Sequence, residues 1–292
     1  MRNPLPTSTA PTATPAPAPA AEPRTGTQAI GRAVSLLRVI ASRGRRGMRI
    51  AEVVATSGLA HATCFRMLQC LQGEGLLDKD AHTHKYFLGP LVHELGLLAR
   101  PRYRLDELCD GALRHLAECT QDTVYLSERS GLEAVCTARH TGDYPIKALP
   151  LDVGIRRPLG VGAGGLAILA AMPADEAESV LRINGPRYEA FGGLTVDRMQ
   201  QAVEQTRQRG WSFLDSVATP GSAALGVVIP GEQAVAAISV AAISGRMPAT
   251  RLDELAAAIA AQAAQVAQLA DLLRGLQRIA PATTPPAEQR KR

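Results

Sequence analysis

The first residues whose type and spacing could do chemistry form the glycine-rich stretch GVGAGG at 160–165. It satisfies the pattern G-x-G-x-x-G, in which backbone N–H groups at a helix start hold a dinucleotide pyrophosphate. That fingerprint needs a strand directly before it, and Pro158 stands where the strand should end. It also needs an acidic residue after a second strand, whereas the nearest acids lie in helix-like 173–183. The remaining interpretations are a tight turn into a helix, or a helix N-terminus whose N–H groups bind a ligand's carboxylate.

Cysteine and histidine side chains could supply a nucleophile or a metal site, but their surroundings favour neither. Cys136 and His140 could pair, yet no oxyanion motif accompanies them, and a buried strand cysteine is the simpler interpretation. His82 and His84 lie two apart on a polar turn and have no third ligand. We therefore predict no catalytic residue, no metal site and no cofactor.

Length and composition indicate a soluble protein of two domains. The chain has 292 residues, of which 46% are hydrophobic and 20% charged, as is usual for globular proteins. It contains no run of 18 apolar residues, so no membrane span is expected. The five cysteines form no CxxC pair, which suits a reducing cytoplasm.

The two ends of the chain are compositionally different from its interior. Residues 1–26 are rich in Pro, Ala and Thr and lack the apolar core of a signal peptide. Such a tail buries too little apolar surface to offset the cost of ordering. The predicted divisions are a disordered tail at 1–26, a DNA-binding domain at 27–89, a linker helix at 90–103, an effector-binding domain at 104–279 and a second disordered tail at 280–292.

Positive charge is concentrated in the N-terminal part. Residues 30–88 contain nine Lys and Arg against four Asp and Glu, whereas residues 101–281 contain 17 against 20. The basic excess is the electrostatic footprint of a protein that binds a polyanion. A basic face that is merely solvated would give the same counts.

The elements around this basic excess form a helix-turn-helix. Helical periodicity predicts a helix at 28–42, a short second helix from Ile50 and a third helix at 60–72, with Gly58 closing the turn between the last two. Two short strands, 76–77 and 85–88, flank the polar turn DKDAHTH. A helix-turn-helix followed by such a hairpin is a winged helix.

The third helix presents a polar face opposite its apolar one. Arg66 on that face could donate two hydrogen bonds to a guanine edge or hold a phosphate. Phe65 could meet a thymine methyl group or belong to the core. The arginines of the preceding loop, SRGRRGMR, suit phosphate contacts. The predicted DNA-binding residues are Arg45, Arg46, Arg49, His61, Ala62, Thr63, Arg66 and Gln69.

The remainder of the chain reads as an α/β domain. Strand-like runs TVYLSER, EAVCTAR, PIKALPL, WSFLD, ALGVVIP and AVAAISVA alternate with helices, and a long Ala-rich helix from 251 to 276 closes the domain. Hairpin-like spacing of the runs favours a largely antiparallel sheet, that is, an α+β arrangement. Thr195 and Gly210 are expected to cap the helix 196–209.

Two stretches carry a resemblance to a family. GLAHATCFRMLQCLQGEGLL, followed by KYFLGP, resembles the DNA-binding domain of the IclR-type bacterial transcription regulators. The sequence departs from the pattern at 60–62, where Pro, Lys and Ser are common. The matching positions are Gly58, Leu59, Thr63, Arg66, Leu68, Leu71, Gly75, Leu76, Tyr86, Leu88 and Gly89.

The resemblance continues in the second domain and implies a GAF-like effector-binding domain. RRPLGVGAGGLAILA is similar to the family's stretch bordering the effector pocket, with Gly160 and Leu166 in place of a histidine and a lysine. GWSFLDSVATPGSAALGVV is similar to a second pocket stretch, with Val217 in place of a glutamate. The candidate effector-binding residues are Gly162, Ala163, Gly164, Asp215 and Ser239. Asp215 could instead be an exposed residue at a strand end, and Ser239 an ordinary strand serine without a ligand. Arg156 and Arg157 either favour an anionic effector or are surface charges.

The predicted function is DNA-binding transcriptional regulation controlled by a small-molecule effector, a small organic acid. The alternative is a small-molecule enzyme with an accessory DNA-binding domain. Expected partners are double-stranded DNA with an inverted-repeat operator, the effector, and further copies of the chain as a homodimer or dimer of dimers. Two copies are expected because one winged helix reads few base pairs.

Overall fold

The computed structural model describes residues 27–99, 105–217, 219–231 and 235–279. The predicted disordered tails, 1–26 and 280–292, lie outside this part. The helices are α1 (Gln28–Ala41), α2 (Ile50–Ser57), α3 (His61–Gly73), α4 (Pro90–Ala99), α5 (Leu105–Thr120), α6 (Ala163–Ala170), α7 (Ala174–Tyr188), α8 (Val196–Arg209) and α9 (Ala249–Ile279). The strands are β1 (Leu77–Lys79), β2 (Tyr86–Leu88), β3 (Thr123–Ser130), β4 (Glu133–Thr141), β5 (Arg156–Pro158), β6 (Ser212–Asp215), β7 (Ser222–Val228) and β8 (Ala236–Ile243).

The N-terminal elements form the predicted winged helix. Helices α1, α2 and α3 pack around one apolar core, and the antiparallel hairpin β1–β2 closes it. Gly58 ends α2 at φ 68° and ψ 8°, a left-handed conformation that glycine adopts without a Cβ penalty. The fully buried members of the core include Leu36, Ile40, Met48, Leu68 and Tyr86.

Two glycines of the family pattern meet where the hairpin returns to α3. Gly75 adopts φ 71°, and the amide of Leu91 donates to its carbonyl at 3.1 Å. A Cβ on Gly89 would lie 2.2 Å from the Gly75 oxygen and 2.9 Å from the Leu77 carbonyl carbon. The backbone therefore passes through a space that only glycine fits.

The second domain has the predicted α+β arrangement, and its helices and sheet form three layers. Its described strands form a six-stranded antiparallel sheet in the order β5-β4-β3-β8-β7-β6. Helices α5 and α9 cover one face through a core that includes Val124, Leu126 and Ile238. Helices α6, α7 and α8 build a second core against the other side. Thr195 and Gly210 cap α8 as expected, the Thr195 Oγ1 accepting from the Arg198 amide at 3.3 Å.

One predicted strand is wrong. The stretch PIKALPL forms neither helix nor strand, but belongs to an irregular segment, residues 143–155, which we call the strap. Pro145 and Pro150 remove two of the N–H donors that a sheet ladder needs. The strand forms instead at β5, directly before the glycine-rich turn, so the expectation that no strand precedes this turn is also wrong. Because β5 is an antiparallel edge strand, the turn still lacks the βαβ context of a dinucleotide fingerprint.

Helix α9 is long enough, and apolar enough over Ala249–Leu273, to cross a membrane by length and composition alone. Its apolar residues are interrupted by Gln262, Gln265, Gln268 and Asp271, so the helix contains no unbroken apolar run. One stripe of the helix packs in the core of the second domain against α5 and the sheet. That stripe consists of Leu255, Ala256, Ile259, Ala263 and Val266.

Candidate functional site

Helix α3 buries one side and exposes the predicted polar face. Cys64 and Leu68 are fully buried, whereas His61, Ala62, Phe65, Arg66 and Gln69 are exposed. Phe65 is 38% exposed, so its interpretation as a core residue is wrong. A helix with small residues at its start and a free guanidinium one turn later can enter a groove closely.

Arg66 stands beside the start of α1. It lines a shallow cleft between α1 and α3, into which half-buried Thr63 also faces. Arg32 contributes a second guanidinium to this cleft. Two positive charges next to the exposed face of α3 raise the local attraction for phosphate. The remaining residues of the cleft are Gln28, Ala29, Met67 and Cys70.

The arginine loop, residues 42–49 between α1 and α2, is hydrogen-bonded to the hairpin β1–β2, which forms the wing. No sequence motif indicates this contact. Met48 and Tyr86 exchange both backbone hydrogen bonds, at 3.0 and 2.8 Å. The Lys85 ammonium donates to the Arg46 carbonyl at 3.0 Å. Arg45, Arg46 and Arg49 remain exposed. Basic side chains from the loop are thereby held next to the hairpin rather than on a free loop.

The wing turn is closed by side-chain contacts instead of a glycine. The Asp80 carboxylate accepts hydrogen bonds from the Thr83 amide and hydroxyl, both at 2.6 Å, and these bonds lower the pKa of Asp80. His84 adopts φ 56°, a left-handed conformation that non-glycine residues seldom take. Across the described residues, no group of three His, Cys, Asp or Glu side chains is arranged to hold a metal.

The second domain contains a cavity on the sheet face opposite α5 and α9. The start of α6 and the strap cover it, and its volume is about 40 Å³, enough for roughly three water molecules. The lining residues are Tyr125, Ser127, Ala134, Cys136, Pro150, Leu151, Ile155, Arg157, Val161, Gly162, Ala163, Gly164, Gly165, Ala224, Ser239 and Ala241.

Glycines and one serine bring the start of α6 onto the sheet. A Cβ on Gly226 would lie 2.8 Å from the Ala163 carbonyl, and the Ser212 hydroxyl donates to that same carbonyl at 2.6 Å. A Cβ on Gly164 would lie 2.6 Å from the Ser127 Oγ and 3.5 Å from the Ser239 Oγ. The Cα of Gly164, in the first turn of α6, therefore lies directly against these two serine hydroxyls.

The polar groups of the cavity are hydrogen-bond donors. Ser127 and Ser239 are each 5% exposed, and neither hydroxyl has a hydrogen-bond partner among the described residues. The Tyr125 hydroxyl donates to the Ala148 carbonyl at 3.1 Å and the Arg157 Nη2 to the Pro150 carbonyl at 2.8 Å. Both acceptors belong to the strap.

Burial keeps the titratable neighbours of Arg157 neutral. It raises the pKa of the Cys136 thiol to about 12 and raises the pKa of the Tyr125 hydroxyl as well. Burial also lowers the pKa of Arg157, yet an arginine starts so far above neutrality that it stays charged. Arg157 is thus the charged group of the cavity.

The structure brings most of the predicted effector-binding residues together. Gly162, Ala163, Gly164 and Ser239 all line the cavity. Asp215 does not: it is exposed at the end of β6, where its carboxylate accepts from Ser216 at 2.9 Å and from Ser244 at 2.5 Å. Tyr125, Ser127, Cys136 and the strap also line the cavity, and no sequence motif indicates them. The period-two alternation of β3 could have indicated that Tyr125 and Ser127 share a face.

The nucleophile candidates have structural partners. Cys136 is buried with a raised pKa, so its thiolate is scarce at neutral pH. His140 contacts the Asp110 carboxylate at 3.0 Å, and Cys119 lies 3.7 Å from the His115 ring on the exposed side of α5. All five cysteines are free. None of these arrangements pairs a reactive nucleophile with a base in a cavity.

Both domains match known families. The family model described as the IclR helix-turn-helix domain matches residues 29–81. The model described as the bacterial transcriptional regulator IclR C-terminal matches residues 101–268. Among curated proteins, the HTH-type transcriptional regulator KipR of Bacillus subtilis is 26% identical over 211 residues, which cover 71% of this chain and 84% of KipR.

Solved structures share the fold. An IclR transcriptional regulator from Alicyclobacillus acidocaldarius superposes with a TM-score of 0.68 at 20% identity, covering 82% of this chain and 98% of the other. An IclR homolog from Microbacterium hydrocarbonoxydans, complexed with 4-hydroxybenzoate, has a TM-score of 0.64 at 18% identity and covers 82% and 99%.

A winged helix joined to this effector-type domain defines a class of DNA-binding regulators. The chain belongs to the IclR family of bacterial transcriptional regulators. It is a regulator and not an enzyme, so the alternative of an enzyme with an accessory DNA-binding domain is rejected.

Proposed function

We propose that the chain binds an inverted-repeat operator as a homodimer or dimer of dimers, and that a small organic acid bound in the cavity changes its operator affinity. The proposal divides the chain into tails at 1–26 and 280–292, a DNA-binding domain at 27–89, a linker at 90–103 and an effector domain at 104–279. The observation that carries it is a largely apolar cavity with a few polar side chains and no catalytic set, in a chain whose other domain exposes Arg66 on α3.

Contacts to DNA are assigned by position and charge. The exposed face of α3 would read bases, with Arg66 as its strongest donor. Arg45, Arg46 and Arg49 would hold phosphates, because they are exposed beside the wing and lie on a fastened segment. The other members of the base-reading face are His61, Ala62, Thr63 and Gln69.

Replacing Arg66 by alanine is expected to lower specific operator affinity by roughly 2 kcal/mol, or about 30-fold, because the variant has no bidentate donor to a base edge. Affinity for unrelated DNA should change far less. Titrations by fluorescence anisotropy on both DNA types measure the difference. Arg182→Ala, which removes the same charge from an exposed site on α7, is the matched control. Equal weakening on both DNA types would assign Arg66 to a phosphate.

Apolar surface on two helices supports assembly. Ile30 on α1 is 66% exposed, and on α4 Leu95, Leu97 and Leu98 are 52%, 53% and 80% exposed. Such side chains are costly to leave in water together. Pairing through these helices would present two winged helices, as an inverted repeat requires.

The effector is proposed to lie between the start of α6 and the sheet. Helix N-termini favour anions, and the unpartnered hydroxyls of Ser127 and Ser239 add two donors. The related regulator complexed with 4-hydroxybenzoate gives one example of an organic acid bound by a protein of this fold. We infer that the chain works in the cytoplasm, where its DNA is and where its five free thiols stay reduced.

The test is an operator-binding assay on the full chain with and without a panel of carboxylic acids. Genomic fragments bound by the chain are first footprinted, and a pair of inverted half-sites is expected. A coupling of roughly 1–3 kcal/mol would change operator affinity about 5- to 150-fold. A footprint of one half-site with a monomeric mass would contradict the assembly. Conversion of a bound acid into a product would contradict a purely regulatory role.

A further inference from the structure

Arg157 differs from the other arginines of its sheet in having no carboxylate partner. Among residues 27–99, 105–217, 219–231 and 235–279, no acidic side chain forms an ion pair with it. Its hydrogen-bonded acceptor is a strap carbonyl, and the Phe191 ring lies 5.8 Å from its guanidinium carbon. The partnered arginines of the same region are Arg129 with Glu176, Arg139 with Asp152, and Arg156 and Arg187 with Glu133.

The neighbouring Arg156, by contrast, has its charge compensated by a carboxylate. Its Nε donates to the Glu133 carboxylate at 2.7 Å. Although burial opposes the shift, hydrogen bonds from Arg156 and Arg187 lower the pKa of Glu133. Because successive residues of a strand point to opposite faces, Arg157 is directed to the cavity side while Arg156 is not. Adjacent, chemically identical side chains therefore differ in what compensates their charge.

A half-buried cation without a counter-ion is unfavourable in the folded protein. Burying a charge costs free energy unless an opposite charge and hydrogen bonds offset it, and one neutral carbonyl with one aromatic ring offsets only part of that cost. Burial accordingly lowers the pKa of Arg157. A group of this kind in a cavity is a candidate for function, because its missing partner can be a ligand.

The other polar groups of the cavity specify what that partner must be. The Ser127 and Ser239 hydroxyls and the first N–H groups of α6 can all donate, and Cys136 and Tyr125 stay neutral. The cavity thus offers donors and one positive charge to its occupant. A carboxylate, which only accepts and carries the opposite charge, complements this set.

We propose that Arg157 is the residue that selects a carboxylate-bearing effector, exchanging its hydrogen bond with the Pro150 carbonyl for one with the ligand's carboxylate. This inference rests on the proposed effector cavity. The exchange is favourable because a carboxylate, unlike the carbonyl, carries the charge opposite to that of the guanidinium and can accept two parallel hydrogen bonds from it. The volume of about 40 Å³ holds only roughly three water molecules, so the strap has to move for an acid the size of propionate or larger to enter.

The experiment measures binding to the full chain by calorimetry, with matched acids and amides. The probes are propionate and 4-hydroxybenzoate, each compared with its primary amide, which has the same shape without the charge. Arg157→Gln removes the charge, Arg157→Lys keeps it, and Arg156→Gln is the matched control on the other face. Thermal unfolding of each ligand-free variant is recorded alongside.

The wild-type chain is expected to bind at least one acid and not its amide. Arg157→Gln should weaken that binding roughly tenfold or more, Arg157→Lys should retain part of it, and Arg156→Gln should retain all of it. The ligand-free Arg157→Gln variant should unfold at the same or a higher temperature, because an uncompensated charge has been removed. Arg156→Gln should unfold at a lower one.

Three results would overturn the inference. They are the binding of neither acid to the wild-type chain, equal binding of an acid and its amide, and a marked fall in the thermal stability of Arg157→Gln. The proposed function is tested by a different result from the role of Arg157. If a neutral or cationic compound occupies the cavity and shifts operator affinity, the cavity remains the effector site while the role of Arg157 is refuted.

Discussion

The operator-binding constant K falls as salt rises, so the slope of log K against log salt is negative. Replacing Arg43, Arg45, Arg46 and Arg49 together by alanine should make this slope less steep by roughly 3.6, at about 0.9 for each phosphate that an arginine no longer neutralises. Between 50 and 200 mM salt, the operator affinity of the wild-type chain should therefore fall by roughly 100-fold more than that of the variant. The reason is counterion release: each arginine on a phosphate frees condensed cations from the DNA. Salt titrations of operator binding measure the slope directly.

The loop should keep its conformation in this variant, because backbone atoms hold it. Met48 and Tyr86 exchange backbone hydrogen bonds, Lys85 donates to the Arg46 carbonyl, and the Arg49 amide donates to the Glu52 carboxylate at 2.8 Å. A control variant that removes the same charge from exposed sites of the second domain consists of Arg114→Ala, Arg182→Ala, Arg198→Ala and Arg209→Ala. If loop and control variants give the same slope, the loop does not touch phosphate.

The Gly89→Ala substitution should destabilise the winged helix by roughly 3 kcal/mol, as overpacking against rigid backbone does. The added Cβ would lie 2.2 Å from the Gly75 oxygen, and neither backbone segment is free to retreat. Hydrogen exchange of the Met48 and Tyr86 amides, which close the hairpin, should accelerate roughly 100-fold. The amide of Val124 in the second domain is the internal reference.

A matched substitution separates this clash from a general effect of adding a methyl group. Gly73 is the last residue of α3, and a Cβ there has no neighbour within 4 Å. Gly73→Ala should leave stability unchanged or raise it by up to about 1 kcal/mol, because alanine favours helix over glycine. Unaltered exchange of Tyr86 in Gly89→Ala would show that the close approach is not as tight as the structure has it.

Periodic elements with local caps were predictable from the sequence. The helix 196–209 was expected with Thr195 and Gly210 as its caps, and α8 has these bounds and caps. The apolar stripe of α3 likewise separated buried Cys64 and Leu68 from the exposed face. In such segments the side chains that determine the structure are neighbours in sequence. The local pattern therefore predicts both the bounds of the helix and its buried face.

The strap and the cavity depend on contacts distant in sequence. PIKALPL has strand-like residues, but its conformation is fixed by Tyr125, Arg139 and Arg157 reaching it from other strands. Asp215 was placed in the effector site by its strand, and three-dimensional packing puts it with Ser216 and Ser244 instead. No local pattern reports which side chains meet across a sheet. That Arg157 has a strap carbonyl rather than a carboxylate as its partner, among the residues that the structure describes, is likewise visible only in the folded chain.

The hydrogen bond between Arg157 and the Pro150 carbonyl also bears on the dose at which the regulator responds. The carbonyl is a competitor that the chain carries within itself, at a fixed and high local concentration. In the proposed role of Arg157 an effector must displace this carbonyl, so the apparent dissociation constant equals the intrinsic one divided by the fraction of molecules whose guanidinium is free. The effector concentration at which operator affinity changes, the threshold of the response, therefore depends partly on the strap. Sequence changes in the strap outside its cavity-lining residues Pro150, Leu151 and Ile155 that tighten or loosen this hydrogen bond would move the threshold, while every residue that lines the cavity stays the same.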